Sequence, residues 1–369
     1  MEDKITKYRE YFPVTKNYIY LNHAATSPLN VYSLEKAQSY LNLVKEEGDV
    51  SWSYLQSISE TARFQVSQLL ECEPSEVAFI QNTSIGINIL VESIEWQEND
   101  EVLILENSFP ALEYPFKYNR HNLKIKKVNF AEIEKYITPK TRLVALEWVN
   151  YFTGEKIGLN FIKELKNRYD LFVLLDAIQG LGAFPLSPRE YDIDFVVAGT
   201  SKWLLGPQGL GILYVSRKAF SKLKTGFIGW LSCPWRSFAD FSNLPDPFSD
   251  ARVFETGTKN YFGISYLTGN LDMILDLGIQ NVSQKIQSFI DLMFNELCDV
   301  AEVVTPYEKK SRAGIFTFKI RAMKAEDLYN KLTDLKIRVS LRNGFIRVSP
   351  HFYNTEEEIE NFIRKVKEV

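Results

Sequence analysis

The sequence predicts an α/β protein in which helices cover a mostly parallel sheet. Strand-like and helix-like segments alternate from about residue 55 to residue 215, which is the pattern of that architecture. Several strand-like segments are unbroken apolar runs, as expected for strands that are buried on both faces. From about residue 260 the pattern changes, and the length of 369 residues exceeds one ordinary domain. We therefore expect a smaller C-terminal α+β domain beside the large one.

The hydrophobic pattern places the individual elements of the large domain. Candidate strands lie at residues 76–80, 101–106, 124–129, 143–149, 171–176, 195–198 and 211–215. Candidate helices lie at residues 31–47, 57–70, 85–94 and 160–168. Residues 227–247 are rich in Trp, Pro, Ser and Phe without clear periodicity, which predicts a long ordered loop.

A β-hairpin is predicted near the C-terminus. The pair Asn343-Gly344 separates two short strand-like segments, and this dipeptide favours a two-residue type I′ turn. Such a turn pairs Ser340 with Arg347, and by the two-residue period of a strand both side chains lie on the more polar face of the hairpin. That face could look into a cleft between the domains, although an arginine on a solvated strand face is the ordinary alternative.

The remaining C-terminal signals are helical. Residues 264–297 predict one long helical run, and Thr355 with Glu358 predicts a capping box that opens the last helix. We predict a large domain of residues 15–258, and a small domain formed by residues 1–14 together with residues 259–369.

Composition excludes several function classes. The net charge of −4 provides no basic field for nucleic acid or an anionic membrane surface. No apolar run approaches the roughly 18 residues that span a bilayer, and the charged first twelve residues lack the apolar core of a signal peptide. The three cysteines are far apart and the three histidines form no ligand pair, so we expect reduced thiols, a cytoplasmic protein and no metal site.

Two residues carry the chemistry that we expect. Asp176 ends one apolar strand-like run, and Lys202 follows the next run 26 residues later. Side chains at the carboxyl ends of neighbouring parallel strands point into one crevice, where open α/β sheets bind ligands. An amine and a carboxylate there suit pyridoxal phosphate, because the amine forms an imine with the aldehyde and the carboxylate keeps the pyridine nitrogen protonated.

A phosphate site is predicted where a helix follows the first candidate strand. Thr83 and Ser84 offer hydroxyls and unpaired backbone N–H groups there, and the helix dipole favours an anion. Alone this signal is weak, because Thr-Ser is also an ordinary helix N-cap.

Taken together, these segments resemble the class V aminotransferase family of pyridoxal phosphate enzymes, which have fold type I. The family includes cysteine desulfurases, serine–glyoxylate aminotransferases, kynureninases and isopenicillin N epimerases. The matching segments span nearly the whole chain and lie at residues 20–25, 83–88, 176–179, 201–209, 254–258 and 346–351. The resemblance implies a seven-stranded, mostly parallel sheet in the large domain, with pyridoxal phosphate as the cofactor.

The resemblance also implies a role for each matching residue. Lys202 would carry the cofactor aldehyde and move the α-proton, while Asp176 pairs with the pyridine nitrogen. The other implied cofactor contacts are Gln179 to the phenolic oxygen or imine, Thr83, Ser84 and Ser201 to the phosphate, Phe109 stacked on the ring and Asn150 near its edge. Thr258 would reach the phosphate of a partner subunit, which makes a homodimer with a shared active site part of the mechanism.

Substrate recognition is implied at two further positions. Arg347 would bind the carboxylate of an amino acid or keto acid, a task suited to a planar donor of two hydrogen bonds. His23 lies in a matching segment and is a candidate substrate contact, although a supporting position is an equal alternative. Desulfurases keep a nucleophilic cysteine shortly before the arginine that binds the substrate carboxylate. In this chain that arginine is Arg347, and residues 336–346 contain no cysteine. Desulfuration through a protein persulfide is therefore disfavoured.

The favoured function is an aminotransferase. An isopenicillin-N-epimerase-like racemase or epimerase, or a cysteine or selenocysteine lyase, is the alternative within the family. A nicotinamide or flavin oxidoreductase would need a glycine fingerprint after its first strand, and the spacing of residues 206–211 does not match it. A non-catalytic protein with this fold would be expected to lose Lys202 or Asp176, and both are present.

Overall fold

The structure is a computed structural model that describes residues 2–235 and 242–368. In these ranges the α-helices are α1 (Glu2–Arg9), α2 (Val31–Glu47), α3 (Trp52–Leu70), α4 (Thr83–Ser93), α5 (Pro110–Lys117), α6 (Asn160–Arg168), α7 (Arg217–Phe220), α8 (Tyr261–Leu277), α9 (Ile279–Leu297), α10 (Ala325–Asp334) and α11 (Glu356–Lys367). Short 3-10 helices lie at Pro13–Lys16, Pro74–Glu76, Phe130–Tyr136, Trp230–Ser232, Ala251–Phe254 and Lys309–Ser311.

The strands of the described residues form one large sheet and two small ones. They are β1 (Ile19–Tyr20), β2 (Val77–Ile80), β3 (Glu101–Leu105), β4 (Lys124–Val128), β5 (Thr141–Glu147), β6 (Phe172–Asp176), β7 (Phe195–Gly199), β8 (Gly211–Val215), β9 (Ala301–Val303), β10 (Phe316–Ile320), β11 (Ile337–Arg338), β12 (Ser340–Arg342) and β13 (Phe345–Val348). The large sheet has seven strands in the order β2-β8-β7-β6-β5-β3-β4. Only β8 runs antiparallel to its neighbours. The predicted α/β class with a mostly parallel seven-stranded sheet is therefore confirmed.

The central strands are buried on both faces because nearly every residue in them is apolar. In β6, Val173 and Leu175 pack into the core on one face of the sheet, whereas Phe172 and Leu174 pack into the core on the other. This alternation follows from the two-residue period of a strand. Each fully buried side chain of this size stabilises the fold by about 1.5–3 kcal/mol. The two cores therefore fix the ends of these strands, where the polar residues lie.

The C-terminal part contains the predicted hairpin within a four-stranded sheet of order β12-β13-β10-β9. Asn343 and Gly344 have φ angles of +50° and +75°, as a type I′ turn requires. Ser340 pairs with Arg347, which confirms the predicted register. The apolar face of the hairpin packs into a third core with α9, α10 and α11. The capping box of Thr355 and Glu358 at the start of α11 is also confirmed.

The prediction of one helix at residues 264–297 is wrong. The chain forms α8 and α9, which meet at Gly278 with a φ of +79°. The N–H of Gly278 bonds to the carbonyls of Ile274 and Leu275, which ends α8 in the manner of a glycine C-cap. Only a residue that adopts positive φ without strain allows the second helix to start at once in a new direction.

The N-terminal segment contacts the C-terminal part of the chain. Strand β1 pairs in parallel with β11, and the guanidinium of Arg9 binds both carboxylate oxygens of Glu358. Arg9 lies in the segment that we grouped with residues 259–369, whereas β1 lies in the range assigned to the large domain, so the domain boundaries stay a prediction. Of the predicted loop at residues 227–247, residues 236–241 lie outside the described residues, and the preceding part contains the short helix Trp230–Ser232. No helix in the described ranges is both long enough and apolar enough to cross a bilayer.

Candidate active site

Asp176 and Lys202 meet at the carboxyl edge of the large sheet. Asp176 is the last residue of β6, and Lys202 follows β7, which is paired in parallel with β6. Burial lowers the pKa of the Lys202 amine to about 8, and the negative charge of Asp176 opposes that shift. Burial raises the pKa of Asp176 to about 6, against a hydrogen bond from the N–H of Ile178 and the charge of Lys202. The predicted amine–carboxylate pair therefore interacts electrostatically within one buried site.

The turn after Lys202 has a specific backbone geometry. Leu205 adopts a φ of +57°, which is uncommon for a residue with a branched side chain. Its N–H bonds to the Lys202 carbonyl at 3.1 Å, and its carbonyl accepts a hydrogen bond of 2.7 Å from the buried amide of Asn270. The neighbouring Trp203 is fully buried and donates its indole N–H to Gln179 at 3.0 Å. Lys202 is thus held on a turn that is fixed by the hydrogen bonds to Asn270 and Gln179.

The start of α4 offers free donors to an anion. Asn82 caps the helix by accepting the N–H of Ile85 at 3.0 Å, and the Thr83 hydroxyl accepts the N–H of Gly199 at 3.0 Å. Among the described residues, no group accepts a hydrogen bond from the backbone N–H of Thr83 or Ser84. Since Gly199 ends the strand that leads to Lys202, the predicted phosphate site and the lysine lie at the same edge of the sheet.

Phe109 lies across from the lysine. The Lys202 Nζ is 5.9 Å from the centre of the Phe109 ring, and the Tyr151 ring meets that ring edge-on at 5.2 Å. Phe109 is 46% exposed, which leaves part of the residue accessible to another planar group. This position suits the predicted stacking role.

Gln179, Ser201 and Asn150 differ in how much hydrogen-bonding capacity they keep. Gln179 donates to the Ala24 carbonyl at 3.0 Å, which leaves one amide hydrogen free, and the hydroxyl of Ser201 has no partner within the described ranges. The amide nitrogen of Asn150 instead donates to Glu147 at 3.0 Å and to the Asn107 carbonyl at 3.2 Å. Asn150 is therefore held by its own loop, and its predicted contact with the cofactor stays a prediction.

Arg347 is a buried cation with no anionic partner among residues 2–235 and 242–368. It is 2% exposed, and no carboxylate of the described residues lies within ion-pair distance of its guanidinium. Its Nη1 donates to the Tyr151 carbonyl at 2.6 Å, while its Nε is buried and has no hydrogen-bond partner in the part of the chain that the structure describes. Burial and the charge of Arg342 lower the pKa of Arg347 to about 10. Because a buried charge is costly without a counterion, this geometry favours binding of a carboxylate.

The side chain of His23 is held by contacts within the chain, and its predicted contact with a substrate stays a prediction. Its ring is fully buried, its Nδ1 donates to the Ser349 carbonyl at 3.0 Å, and its Nε2 accepts the Tyr353 hydroxyl at 2.8 Å. Burial and the nearby His351 keep the pKa of His23 well below 6.5. Both ring nitrogens are occupied by the chain, so the residue packs the core behind the site.

Thr258 lines a cavity that Lys202 does not line. Thr258 is exposed, and this cavity of about 260 Å³ is also lined by Gln81 and Gly209. The predicted contact with a partner's phosphate therefore stays a prediction.

Glu147 is a site residue that sequence reasoning missed. It ends β5 directly opposite Asp176 and is only 4% exposed. The available signal was a carboxylate at the carboxyl end of an otherwise apolar strand, which is the same feature that identified Asp176. Residues 2–235 and 242–368 contain no group of three or more His, Cys, Asp or Glu that could hold a metal ion.

Residues 19–362 match the model of the family described as aminotransferase class-V. The chain belongs to the class-V aminotransferase family. An uncharacterized aminotransferase of Bacillus subtilis, YcbU, is 24% identical over 99% of this chain and 98% of its own length. The family match confirms the predicted enzyme family and its cofactor, pyridoxal phosphate.

Solved structures agree on the fold. The apo cysteine desulfurase of Thermococcus onnurineus NA1 has a TM-score of 0.88 at 21% identity, and the match covers 98% of this chain and 97% of that one. The cystine C–S lyase C-DES, in complex with its product cysteine persulfide, has a TM-score of 0.86 at 21% identity and covers 96% of this chain and 98% of that one. A variant of C-DES with glycine covalently linked to its pyridoxal phosphate has a TM-score of 0.88 at 21% identity, covering 97% and 98%. The predicted fold type I is therefore confirmed.

The described residues fit this cofactor. The free N–H groups at the start of α4 suit its phosphate, and the acid–amine pair suits its ring nitrogen and aldehyde. The residues that would hold it are Thr83, Ser84, Phe109, Asp176, Gln179, Ser201 and Lys202.

Proposed function

We propose that this protein is an aminotransferase that moves an amino group between an amino acid and a 2-oxo acid. The observation that carries the proposal is the buried guanidinium of Arg347, which has no ion-pair partner among the described residues and whose charge acts on the amine of Lys202. The positive charges of Arg347 and Arg342 both lower the pKa of Lys202, which supports their proximity. An anion held by Arg347 would lie within reach of the group that moves protons.

The protein residues divide the chemical work among them. When bound, pyridoxal phosphate supplies an electron sink for the bond that breaks at the substrate Cα. The Lys202 amine, with its pKa lowered to about 8, is suited to accept a proton from Cα and return it near neutral pH. Asp176 provides the negative charge that keeps a pyridine nitrogen protonated, and Arg347 orients the substrate carboxylate. The half-exposed ring of Phe109 covers one side of the site.

The proposed enzyme acts as a cytoplasmic homodimer. The exposed Thr258 and the cavity beside Gln81 support a shared site, because they form a concave surface at which a second chain could add donors. Mixing a Lys202→Ala chain with a Thr258→Ala chain would test this. In the mixed dimer, one site combines the intact Lys202 of one chain with the intact Thr258 of the other, so mixing should restore activity. If sedimentation shows that the fully active protein is a monomer, the proposal is contradicted.

The decisive experiment measures amino transfer directly. The purified protein is incubated with single amino acids and a 2-oxo acid acceptor, and amino acid, oxo acid and ammonia are quantified together. An aminotransferase yields the new amino acid and the new oxo acid in equal amounts with no ammonia. Borohydride reduction followed by peptide mapping should place a pyridoxyl group on Lys202. A label on another residue, or products without amino transfer, would contradict the proposal.

A cysteine or cystine C–S lyase is the second candidate. The observation that favours it is the tight turn of the hairpin between β12 and β13, which holds no thiol, together with the likeness to the lyase C-DES. A lyase needs no cysteine on the protein, whereas a persulfide-forming desulfurase does. In the same assay a lyase releases ammonia and a sulfur product from cysteine or cystine. An epimerase would invert the Cα without either product.

A further inference from the structure

Glu147 and Asp176 form a pair of buried carboxyl groups. They end the neighbouring parallel strands β5 and β6 and are partners in register, so their backbones are about 4.8 Å apart. They are 4% and 2% exposed, and side chains at paired positions of adjacent strands point to the same side of the sheet. Two buried carboxylates at adjacent positions on the same side of a sheet repel each other, which disfavours ionisation of both.

The surroundings decide which of the two keeps its proton. Asp176 accepts the N–H of Ile178 at 3.0 Å and faces the charge of Lys202. Around Glu147, the charged groups are Asp176 from β6 and Lys202 beyond β7, while Glu106 at the end of β3 is exposed. Burial and the charge of Asp176 raise the pKa of Glu147 to about 8, above the value of about 6 for Asp176, and they outweigh the hydrogen bonds from Tyr151 and Asn150 and the charge of Lys202, which all lower it. Asp176 therefore ionises first, and Glu147 is the neutral member of the pair near pH 7.

Glu147 also fixes the loop that holds Arg347. Its Oε2 accepts the side-chain N–H of Asn150 at 3.0 Å, and its Oε1 accepts the backbone N–H of Tyr151 at 3.3 Å. The carbonyl of that same Tyr151 accepts the 2.6 Å hydrogen bond from Arg347. The side-chain oxygen of Asn150 in turn accepts hydrogen bonds from the backbone N–H groups of Phe152 and Thr153, so the loop folds around the Asn150 side chain. The Glu147 carboxyl thus connects the sheet edge to the guanidinium.

We infer that Glu147 is a positioning residue that stays neutral beside Asp176, leaves Asp176 as the single anion of the pair, and fixes the loop that orients Arg347. The charge part of this inference concerns the chain alone, whereas the part that involves Arg347 rests on the proposed function. Glu147 lines a cavity of about 560 Å³ next to this loop, so the carboxyl is close to solvent-filled space although it is itself covered.

The first experiment measures protein stability and needs no catalysis. The urea midpoint of the full-length protein is determined from about pH 5 to pH 9, with and without bound cofactor, for the wild type, Glu147→Gln and Glu155→Gln. A neutral Glu147 takes its proton from solution only in the folded state, so wild-type stability should fall relative to Glu147→Gln as the pH rises from about 4.5 towards 8. Glu155 is exposed on the same loop, and its variant should follow the wild-type curve. Parallel curves for Glu147→Gln and the wild type would overturn the inference.

The second experiment tests the connection to Arg347. In Glu147→Ala the N–H groups of Asn150 and Tyr151 lose their acceptor, so we expect KM for a carboxylate substrate to rise about tenfold, with a smaller change in kcat. Glu147→Gln keeps one acceptor oxygen, so its KM should lie between the values of the wild type and Glu147→Ala. Glu155→Ala is the matched control. An unchanged KM in a folded Glu147→Ala protein would overturn the positioning role. If the wild type turns over no amino acid, the proposed function fails, while the stability curves still decide the charge state of Glu147.

Discussion

The guanidinium of Arg63 and the carboxylate of Glu255 form a buried ion pair with two hydrogen bonds. Nη1 and Oε1 are 2.7 Å apart, Nη2 and Oε2 are 3.0 Å apart, and the side chains are only 1% and 3% exposed. Lys259 approaches the same carboxylate at 2.6 Å, and the N–H of Phe79 donates to it at 2.9 Å. This pair joins α3 and β2 to the segment that carries Thr258.

Removing one partner of this pair should strongly destabilise the protein. In Glu255→Gln the guanidinium of Arg63 stays buried and, among the described residues, keeps only the exposed Glu60 as an anionic contact. Breaking such buried pairs typically costs about 3–5 kcal/mol. Urea unfolding measures the loss. Glu60 is the matched control, since it also contacts Arg63, at 3.2 Å, but is 49% exposed. Glu60→Gln should cost no more than about 1 kcal/mol, and an equal loss in both variants would show that burial is not the cause.

The same pair gives the protein a sensitivity to acid. Burial raises the pKa of Glu255, but Arg63 and Lys259 outweigh it and hold the pKa at about 2, below the ordinary 4.5. A lowered folded pKa means that the stabilisation is complete above about pH 4.5 and is lost as the pH falls towards 2. The difference in unfolding free energy between the wild type and Glu255→Gln should therefore narrow in that window, by up to about 1.4 kcal/mol per pH unit. A constant difference would contradict the assignment.

Lys202 should be essential for turnover and dispensable for the fold. Lys202→Ala removes the amine that would hold the cofactor and move the proton, so no activity should remain under conditions in which the wild type is saturated. The circular dichroism spectrum should be unchanged, because the apolar strands on either side of the site do not depend on the amine. Lys224→Ala changes an exposed lysine and should keep wild-type activity. Appreciable turnover by Lys202→Ala would disprove the assigned role.

Arg347 should affect substrate affinity more than any exposed arginine does. Arg347→Leu keeps the bulk of the side chain but removes the unpaired charge, and binding of a carboxylate substrate should weaken by about 2–5 kcal/mol. The measurement is kcat/KM with one amino acid donor. Arg321→Leu alters an exposed arginine of the same C-terminal part and should change it less than twofold. An unchanged kcat/KM for Arg347→Leu would mean that another group binds the carboxylate.

The sequence allowed prediction of those features that depend on local patterns. The strands of the large sheet follow from unbroken apolar runs, and the register at Arg347 follows from the turn preference of Asn343-Gly344. The break at Gly278 was missed because the apolar period continues across it, so only the positive φ of one residue separates α8 from α9. A single glycine inside a helical pattern does not reveal this.

The parts of the site that were missed depend on contacts between distant residues. The proposed role of Glu147 depends on its position beside Asp176, which lies 29 positions further along the chain. That pairing is set by the order of the strands. His23 was placed near the site by its segment, but its role depends on Tyr353, which lies 330 residues away. Hydrogen-bond partners at such separations cannot be read from spacing.

Tyr353 should therefore matter for stability through His23. In Tyr353→Phe the Nε2 of His23 loses its donor in a fully buried position, which should cost about 1–3 kcal/mol in unfolding free energy at neutral pH. Tyr307→Phe is the control, because that tyrosine is 79% exposed and its loss should be within about 0.5 kcal/mol. Because the pKa of His23 is lowered, the neutral ring contributes stability above its ordinary value of 6.5 that is lost as the pH falls below it. A substrate-binding His23 would give the opposite pattern, in which Tyr353→Phe raises KM while the unfolding free energy stays at the wild-type value.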